Sequence, residues 1–500
     1  MNTFLNGMID ETNFKRTENG ALAHKTTKRA IYDMFALCGA YRSRTDEDCI
    51  TMFSNAFAED RDLALKCLFY LADCRGGQGE RRFFRVCFKW LAKKYPVVAR
   101  KNITNIPEYR RWDDILYSCI GTPVERDALD FIKHQLALDV ECKTPSLLAK
   151  WLPSENASSR ETRTMGNTVR AYLGWTHKQY RKVLSELRTR INIVEKLMSQ
   201  GRWEEIEFDK IPSKAGMIYK NAFARRDLIA KKYEAFAKDE KTTVNAKTLY
   251  PYEVVNKAVY SRSGNSTDRA MIEKYWNNLP DYFGGKQSNM LCVVDTSGSM
   301  TWGAASIRPI DVAISLGMYC AERAGGPFKD HYISFASVPQ LIHIEGVDFV
   351  DKVRRIYTTN LCDNTNLTGV FDMLLKIAKQ PGTKKSDIPK TIVVISDMEI
   401  DQGARGNTWH SNGFTSWNAH NAETEMEKIR KQWAAAGFEL PRLVYWNVNA
   451  RNNTILDSGN NVSFVSGASP SIFEQVITGK NGWDLCLEKL CSDRYKAITA

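Results

Sequence analysis

The feature that most constrains this chain is a change of hydrophobic period near residue 280. Before it, segments such as KRAIYDMFALCGAYR (28–42), DLALKCLFYLADC (62–74), RRFFRVCFKWLAKKY (81–95), DALDFIKHQLALDV (127–140) and YRKVLSELRTRINIVEKLMSQ (180–200) repeat apolar residues at i, i+3, i+4 and i+7. That spacing predicts consecutive amphipathic helices. After it, short apolar runs alternate with helical stretches. MLCVVD (290–295), HYISFAS (331–337), QLIHIE (340–345), TIVVISDME (391–399), RLVYWNVNA (442–450) and VSFVSG (462–467) read as strands. Helices are expected near 310–323, 349–357, 369–379 and 422–437, and in the SPSIFEQVITG and GWDLCLEKLCS segments. An all-α bundle or helix-pair solenoid followed by a doubly wound α/β domain is therefore expected. The division reads as a lead segment over 1–24, a helical domain over 25–283 and an α/β domain over 284–500. No clean internal repeat aligns, so any repetition is degenerate.

The charge is as unevenly distributed as the pattern. The chain of 500 residues has a formal net charge of +12. Residues 1–285 hold 48 Lys and Arg against 36 Asp and Glu, and the rest of the chain holds 22 of each. The entire excess thus lies in the helical part, as expected for a surface that meets nucleic acid or another polyanion. No apolar run reaches membrane-spanning length, and the first twenty residues lack the apolar stretch of a signal peptide. The 12 cysteines are scattered without zinc-type spacing, as buried free thiols in a reducing compartment would be. A cytoplasmic, monomeric protein is the expectation.

The first strand runs into Asp295-Thr296-Ser297-Gly298-Ser299. A small-residue turn can aim a carboxylate and two hydroxyls at one point, the oxygen-only donor set that a hard divalent cation prefers. The competing reading is a strand-end turn with a helix cap. The DxSxS element, with the loop CDNTNLTG and the strand TIVVIS that leads to Asp397, resembles the metal-dependent adhesion site of von Willebrand factor A domains. That resemblance implies a cation held by the hydroxyls of Ser297, Ser299 and Thr365, and through water by Asp295 and Asp397. One position would stay open for an acidic group of a partner. Mg2+ is expected, with Mn2+ or Ca2+ as alternatives. Glu399 and Asp401 lie close in sequence but read as cap or solvent residues. The chain has no GxSxG, HExxH or Walker motif and no clustering of its seven histidines, so binding without catalysis is expected.

Further motifs lie in the helical part: Leu71-Ala-Asp-Cys-Arg75-Gly-Gly-Gln-Gly79-Glu-Arg81, Ile106-Pro-Glu-Tyr-Arg-Arg-Trp112-Asp113-Asp114, Ser146-Leu-Leu-Ala-Lys-Trp-Leu-Pro-Ser-Glu155, Arg202-Trp203 with Ile211-Pro-Ser213, and the late Val465-Ser-Gly-Ala-Ser-Pro470. They resemble the TROVE module of the Ro autoantigen family, and more nearly the uncharacterised domain of unknown function 2828 family, from about residue 25 to the C-terminus. The Ro resemblance implies a ring or arc of HEAT-like helical repeats joined to an A domain, and binding of single-stranded RNA ends or small structured RNAs. Candidate RNA contacts are Arg75, Arg81, Arg82, Arg110, Arg111, Lys150, Arg160, Arg163, Arg170, Lys178, Arg181 and Lys182, with Tyr172, Trp175 and Tyr180 interleaved for base stacking. Gly76, Gly77 and Gly79 read as a tight turn with positive φ. Trp112, Trp151 and Trp203 read as core anchors, with Asp113-Asp114 as a helix cap. The alternative function is a metal-dependent protein-interaction scaffold or assembly factor without nucleic acid.

Overall fold

Apolar runs buried on both faces become the central strands. The computed structural model describes residues 12–191, 193–260, 265–301, 307–335, 338–359, 366–400, 424–457, 459 and 461–500. A short antiparallel hairpin, β1 (Phe14–Arg16) and β2 (Leu22–His24), precedes six further strands: β3 (Met290–Asp295), β4 (His331–Phe335), β5 (Gln340–His343), β6 (Thr391–Ser396), β7 (Arg442–Asn447) and β8 (Val462–Ser466). These six form one mixed sheet in the order β5-β4-β3-β6-β7-β8, parallel except for the antiparallel edge pair β4 and β5. Every residue of β3, β7 and β8 is buried, as the absence of polar alternation in these runs requires.

The chain divides into two compact units that interleave along the sequence. One comprises residues 1–48 and 250–490, the other residues 49–249 and 491–500. The expected boundaries, 24/25 and 283/284, differ from these. The helices Ala30–Leu37, Pro251–Val259 and Ser266–Asn277 nevertheless belong to the unit that holds the sheet. The helix Ala30–Leu37 lies on β8, where the Phe464 amide donates to the Tyr32 hydroxyl at 2.8 Å. The helix Pro251–Val259 packs on Pro309–Arg323 and Phe349–Thr359. Trp276 stacks on Phe349 with ring centroids 4.2 Å apart, and Arg269 forks onto Asp348 with two 2.7 Å bonds. Period alone cannot tell a helix that packs on helices from one that packs on a sheet.

In the sheet unit, Pro309–Arg323 lies directly on β3 and β4. A Cβ at Gly317 would meet Val294 Cγ2 at 2.5 Å, so glycine is what allows that approach. In the other unit, helices pack on helices close in sequence: Arg61–Ala72 on Arg81–Lys94, the latter past two short helices on Asp113–Cys119, and Ser213–Ala224 on Asp227–Lys238. Residues 491–500 join that unit through Arg494, whose guanidinium pairs with the fully buried Asp73. Among the described residues no helix is long and apolar enough to cross a membrane.

Candidate functional site

The sheet reverses its direction of growth between β3 and β6: from β3 the chain builds outward through β4 and β5, then returns to lay β6 on the other side. Ligands of open α/β sheets bind at the carboxyl ends of the strands at such a switch point. Asp295 closes β3 and Asp397 follows β6, so the two carboxylates of the DxSxS reading arrive there together. Both are fully buried, and Ser297 is 5 % exposed. Asp295 accepts from the Ser297 amide at 2.9 Å and from the Ser396 hydroxyl at 2.6 Å. The hydroxyls of Ser297 and Ser299 lie 3.0 Å apart. Burial, and then the charge of Asp397, push the Asp295 carboxyl up to about 7 against the donors of Ser396 and Ser297. Asp397 is also raised, by burial, with Arg451 opposing. Two like charges held out of water disfavour joint ionisation.

The Asp397 loop is braced from distant sequence. Met398, at φ 66, holds the left-handed backbone that non-glycine residues seldom adopt. Arg451 donates to Asp397 at 2.9 Å and pairs with Glu18 at 2.7 Å. The Glu399 carboxylate is fully buried and accepts from the Glu18 amide at 2.6 Å and from Asn452 and Thr454 at 3.2 Å each. Thr17 and Asn19 donate to the backbone carbonyls of Ile400 and Glu399, both at 2.7 Å. Thr17, Glu18 and Asn19, featureless in sequence, thus brace Glu399 and Ile400. Glu399 is an internal brace and neither a cap nor a solvent residue. Thr365 and Asp401 lie outside the described residues.

Asp295, Ser297, Ser299 and Asp397 form an all-oxygen donor set, and two buried carboxylates answered by one guanidinium suit a hard divalent cation. Among the described residues, no group of three His, Cys, Asp or Glu side chains has a metal-holding arrangement. The hydroxyls would have to complete any such site.

The basic candidates differ in how far they are buried and which groups they meet. Arg81, Arg85, Arg110 and Arg111 converge on Asp113 and Asp114. Arg81 meets Asp113 at 2.6 Å and Asp114 at 3.1 Å; Arg85 meets Asp114 at 2.5 Å and Asp113 at 3.4 Å. Arg110 pairs with Asp114 at 3.1 Å and donates to the Ala72 carbonyl at 2.6 Å, while Arg111 pairs with Asp113. Burial acts to raise the Asp114 carboxyl, but Arg110, Arg85 and Arg81 outweigh it and hold the group below its ordinary range. Arg110 is only 9 % exposed, so its role is internal. Asp113 and Asp114 do open a helix, but with no side-chain cap; they serve as an ion-pair hub. Arg85 is not among the expected contacts, although its i, i+4 spacing from Arg81 places both on one helix face.

Elsewhere, Arg75 donates to the Glu108 carbonyl at 3.0 Å, and Arg163 to those of Ala157 and Ser158 at 2.8 and 2.9 Å. Arg170 pairs with Glu155 at 2.7 Å. Lys150 lies 5.4 Å from the Trp151 ring centre. Arg82, Arg160, Lys178, Arg181 and Lys182 are exposed. Tyr180 is buried, its hydroxyl donating to the Pro153 carbonyl at 2.9 Å, so it offers no stacking face. Trp151 and Trp203 are half-buried and carry Arg111 and Arg226, each 3.9 Å from the ring centre, instead of anchoring a core. Trp112 stacks on Phe131 at 5.4 Å. Of the three turn glycines, only Gly79 has positive φ; at Gly77 a Cβ would lie 1.8 Å from the Tyr70 carbonyl oxygen, so close approach is its requirement.

Residues 17–111 and 136–282 match the family described as Domain of unknown function (DUF2828), in agreement with the resemblance of the helical motifs. Residues 289–486 match the family described as Domain of unknown function (DUF7788). An uncharacterized protein of Acanthamoeba polyphaga mimivirus is 27% identical over 94% of this chain and 85% of its own length. The crystal structure of the Deinococcus radiodurans Ro (RSR) protein is similar over 91% of this chain and 100% of that one, at 14% identity and a TM-score of 0.39.

Proposed function

We propose that this is a non-catalytic, Ro-like RNA-binding protein. In this reading the basic helical unit binds RNA, and the sheet unit is a von Willebrand factor A-like domain whose metal-dependent site docks an acidic group. The observation that carries it is the charge of the two compact units. The helical unit holds 39 Lys and Arg against 26 Asp and Glu, a net +13, whereas the sheet unit holds 31 against 32. Thirteen uncompensated positive charges on one unit favour a polyanion, whose affinity comes from displaced counterions. The TROVE-like motifs around Arg75, Arg110 and Arg111 support RNA as that polyanion.

Asp295, Ser297, Ser299 and Asp397 would hold the cation, with Thr365 as the fifth residue that the A-domain resemblance implies. The bound ion would supply a positive centre for a carboxylate of a partner. Arg451 takes part of the Asp397 charge and so limits how much of it the cation meets.

Filter binding of a single-stranded oligoribonucleotide to the full chain across a salt series tests the RNA reading. Log affinity should fall by about 0.7 for each phosphate contacted per tenfold rise in salt. Affinity that is absent at low salt, or unchanged by salt, overturns it. The internal engagement of Arg75, Arg110, Arg163 and Arg170 favours a second reading, a metal-dependent protein scaffold. A partner complex that survives RNase but is lost in Asp295→Ala would establish that reading instead.

A further inference from the structure

Asp113 and Asp114 carry two negative charges and meet four guanidinium groups, which leaves the cluster two positive charges in surplus. Arg110 is closed off inside. The side chains of Arg81, Arg85 and Arg111 remain 35 %, 21 % and 36 % exposed. Each bonds to the carboxylates through Nε and Nη2. The Nη1 edge of all three has no acceptor among the described residues.

The three groups are also held in place. Arg85 lies over Tyr117 with its central carbon 3.5 Å from the ring centre, and Arg111 lies over Trp151 at 3.9 Å. Carboxylates on one edge and rings on two faces restrain side chains that would otherwise lose rotamer freedom on binding. The cluster has half as many carboxylates as guanidinium groups, and three of the four guanidinium side chains keep solvent-exposed surface.

We propose that Arg81, Arg85 and Arg111 form a binding site for a phosphoryl group. Its several acceptor oxygens suit parallel N–H donors from more than one guanidinium, which a single ammonium cannot reproduce. That the phosphoryl group belongs to RNA rests on the function proposed above; the site itself does not.

The test uses the full chain, with Arg85→Lys and Arg111→Lys combined so that charge is kept and the forks are lost, and exposed Lys247→Gln as a control for general charge. The probes are a labelled single-stranded oligouridylate, followed by fluorescence anisotropy, and inorganic phosphate, followed by its shift of the melting temperature. The double variant should bind the oligonucleotide at least tenfold more weakly, and phosphate should raise the melting temperature of the wild type only. Lys247→Gln should stay within about twofold of the wild type, as a lone exposed charge should. Unchanged responses of the double variant to both probes overturn the site while leaving RNA binding intact. If phosphate acts on the wild type alone and the oligonucleotide binds neither protein, the site stands and the RNA reading falls. If neither probe acts on the wild type, both fall. Should the double variant fail to fold, phenylglyoxal labelling of the wild type decides: phosphate should slow modification of Arg81, Arg85 and Arg111 several-fold, and absence of protection overturns the site.

Discussion

The hydroxyl of Ser396 donates to the carboxylate of Asp295 over 2.6 Å, joining the ends of two parallel strands that are 101 residues apart in sequence. The same Ser396 oxygen accepts the Met398 amide at 3.0 Å, so one buried atom fixes both the Asp295 rotamer and the turn that carries Asp397. Removal of such an orienting partner commonly costs about 10–100-fold in metal affinity. Ser396→Ala should bind Mg2+ about tenfold more weakly, measured by titration calorimetry against the wild type. Equal affinity would show that Asp295 needs no orientation.

The buried acid pair makes a prediction about pH. The Asp295 carboxyl, ordinarily at 3.8, stands at about 7 in the fold, so folding favours its protonated form. A group raised in this way contributes stability that is complete below its unfolded value and is lost as pH rises through its folded one. Cation-free protein should therefore melt at a lower temperature at pH 8 than at pH 6. Mg2+ should raise the melting temperature more at pH 8, where it no longer competes with the proton. Thermal scans in EDTA and in Mg2+ check this; equal Mg2+ shifts at the two pH values would contradict it.

Asp114→Asn removes the one carboxylate shared by Arg81, Arg85 and Arg110. Breaking a buried ion pair from one side typically costs about 3–5 kcal/mol, and urea denaturation should show a loss of that size. The sign with pH is the reverse of that for Asp295. The Asp114 carboxyl is held below 3.8, so its contribution is present above that value and lost as pH falls beneath it. The variant should consequently lose less stability on acidification than the wild type does.

Two glycines separate crowding from backbone strain. At Gly77 an added methyl would lie 1.8 Å from the Tyr70 carbonyl oxygen, within the backbone that closes the turn. Gly77→Ala should cost about 3 kcal/mol or more, or prevent folding. Gly121 has φ 75, and a methyl added there would meet no atom within 4 Å. Gly121→Ala should therefore cost only the left-handed penalty of about 1–2 kcal/mol. Denaturation midpoints of the two variants, compared side by side, give the contrast.

The strands and the DxSxS turn were legible because both are local statements. A strand buried on both faces reads as an unbroken apolar run, and MLCVVD ending in Asp295 says where the carboxylate must emerge. The hub around Asp113 and Asp114 was hidden because Arg81 and Arg85 reach it from about thirty residues away, and a basic helix face looks the same whether it meets solvent or a buried carboxylate. Tyr180 shows the same limit in reverse: an aromatic among arginines reads as a stacking platform, although its hydroxyl is spent on the Pro153 carbonyl, and Trp151, which reads as a core anchor, lies beneath Arg111. The support of the Asp397 loop by Thr17, Glu18 and Asn19 crosses some 380 residues and leaves no periodic trace.

The interleaving of the two units sets an order on the ribosome. Residues 49–249 emerge long before residues 491–500, so Asp73 is placed in the nascent helical unit without the guanidinium of Arg494 or the hydroxyl of Tyr495, which reaches it at 3.0 Å. All of residues 250–490 must be made in between. The earlier-made unit thus waits, with the Asp73 carboxylate held by the Arg75 amide but without its guanidinium partner, while the sheet unit is synthesised. Translation speed across that stretch becomes a determinant of how long the helical unit is open to aggregation and to chaperones.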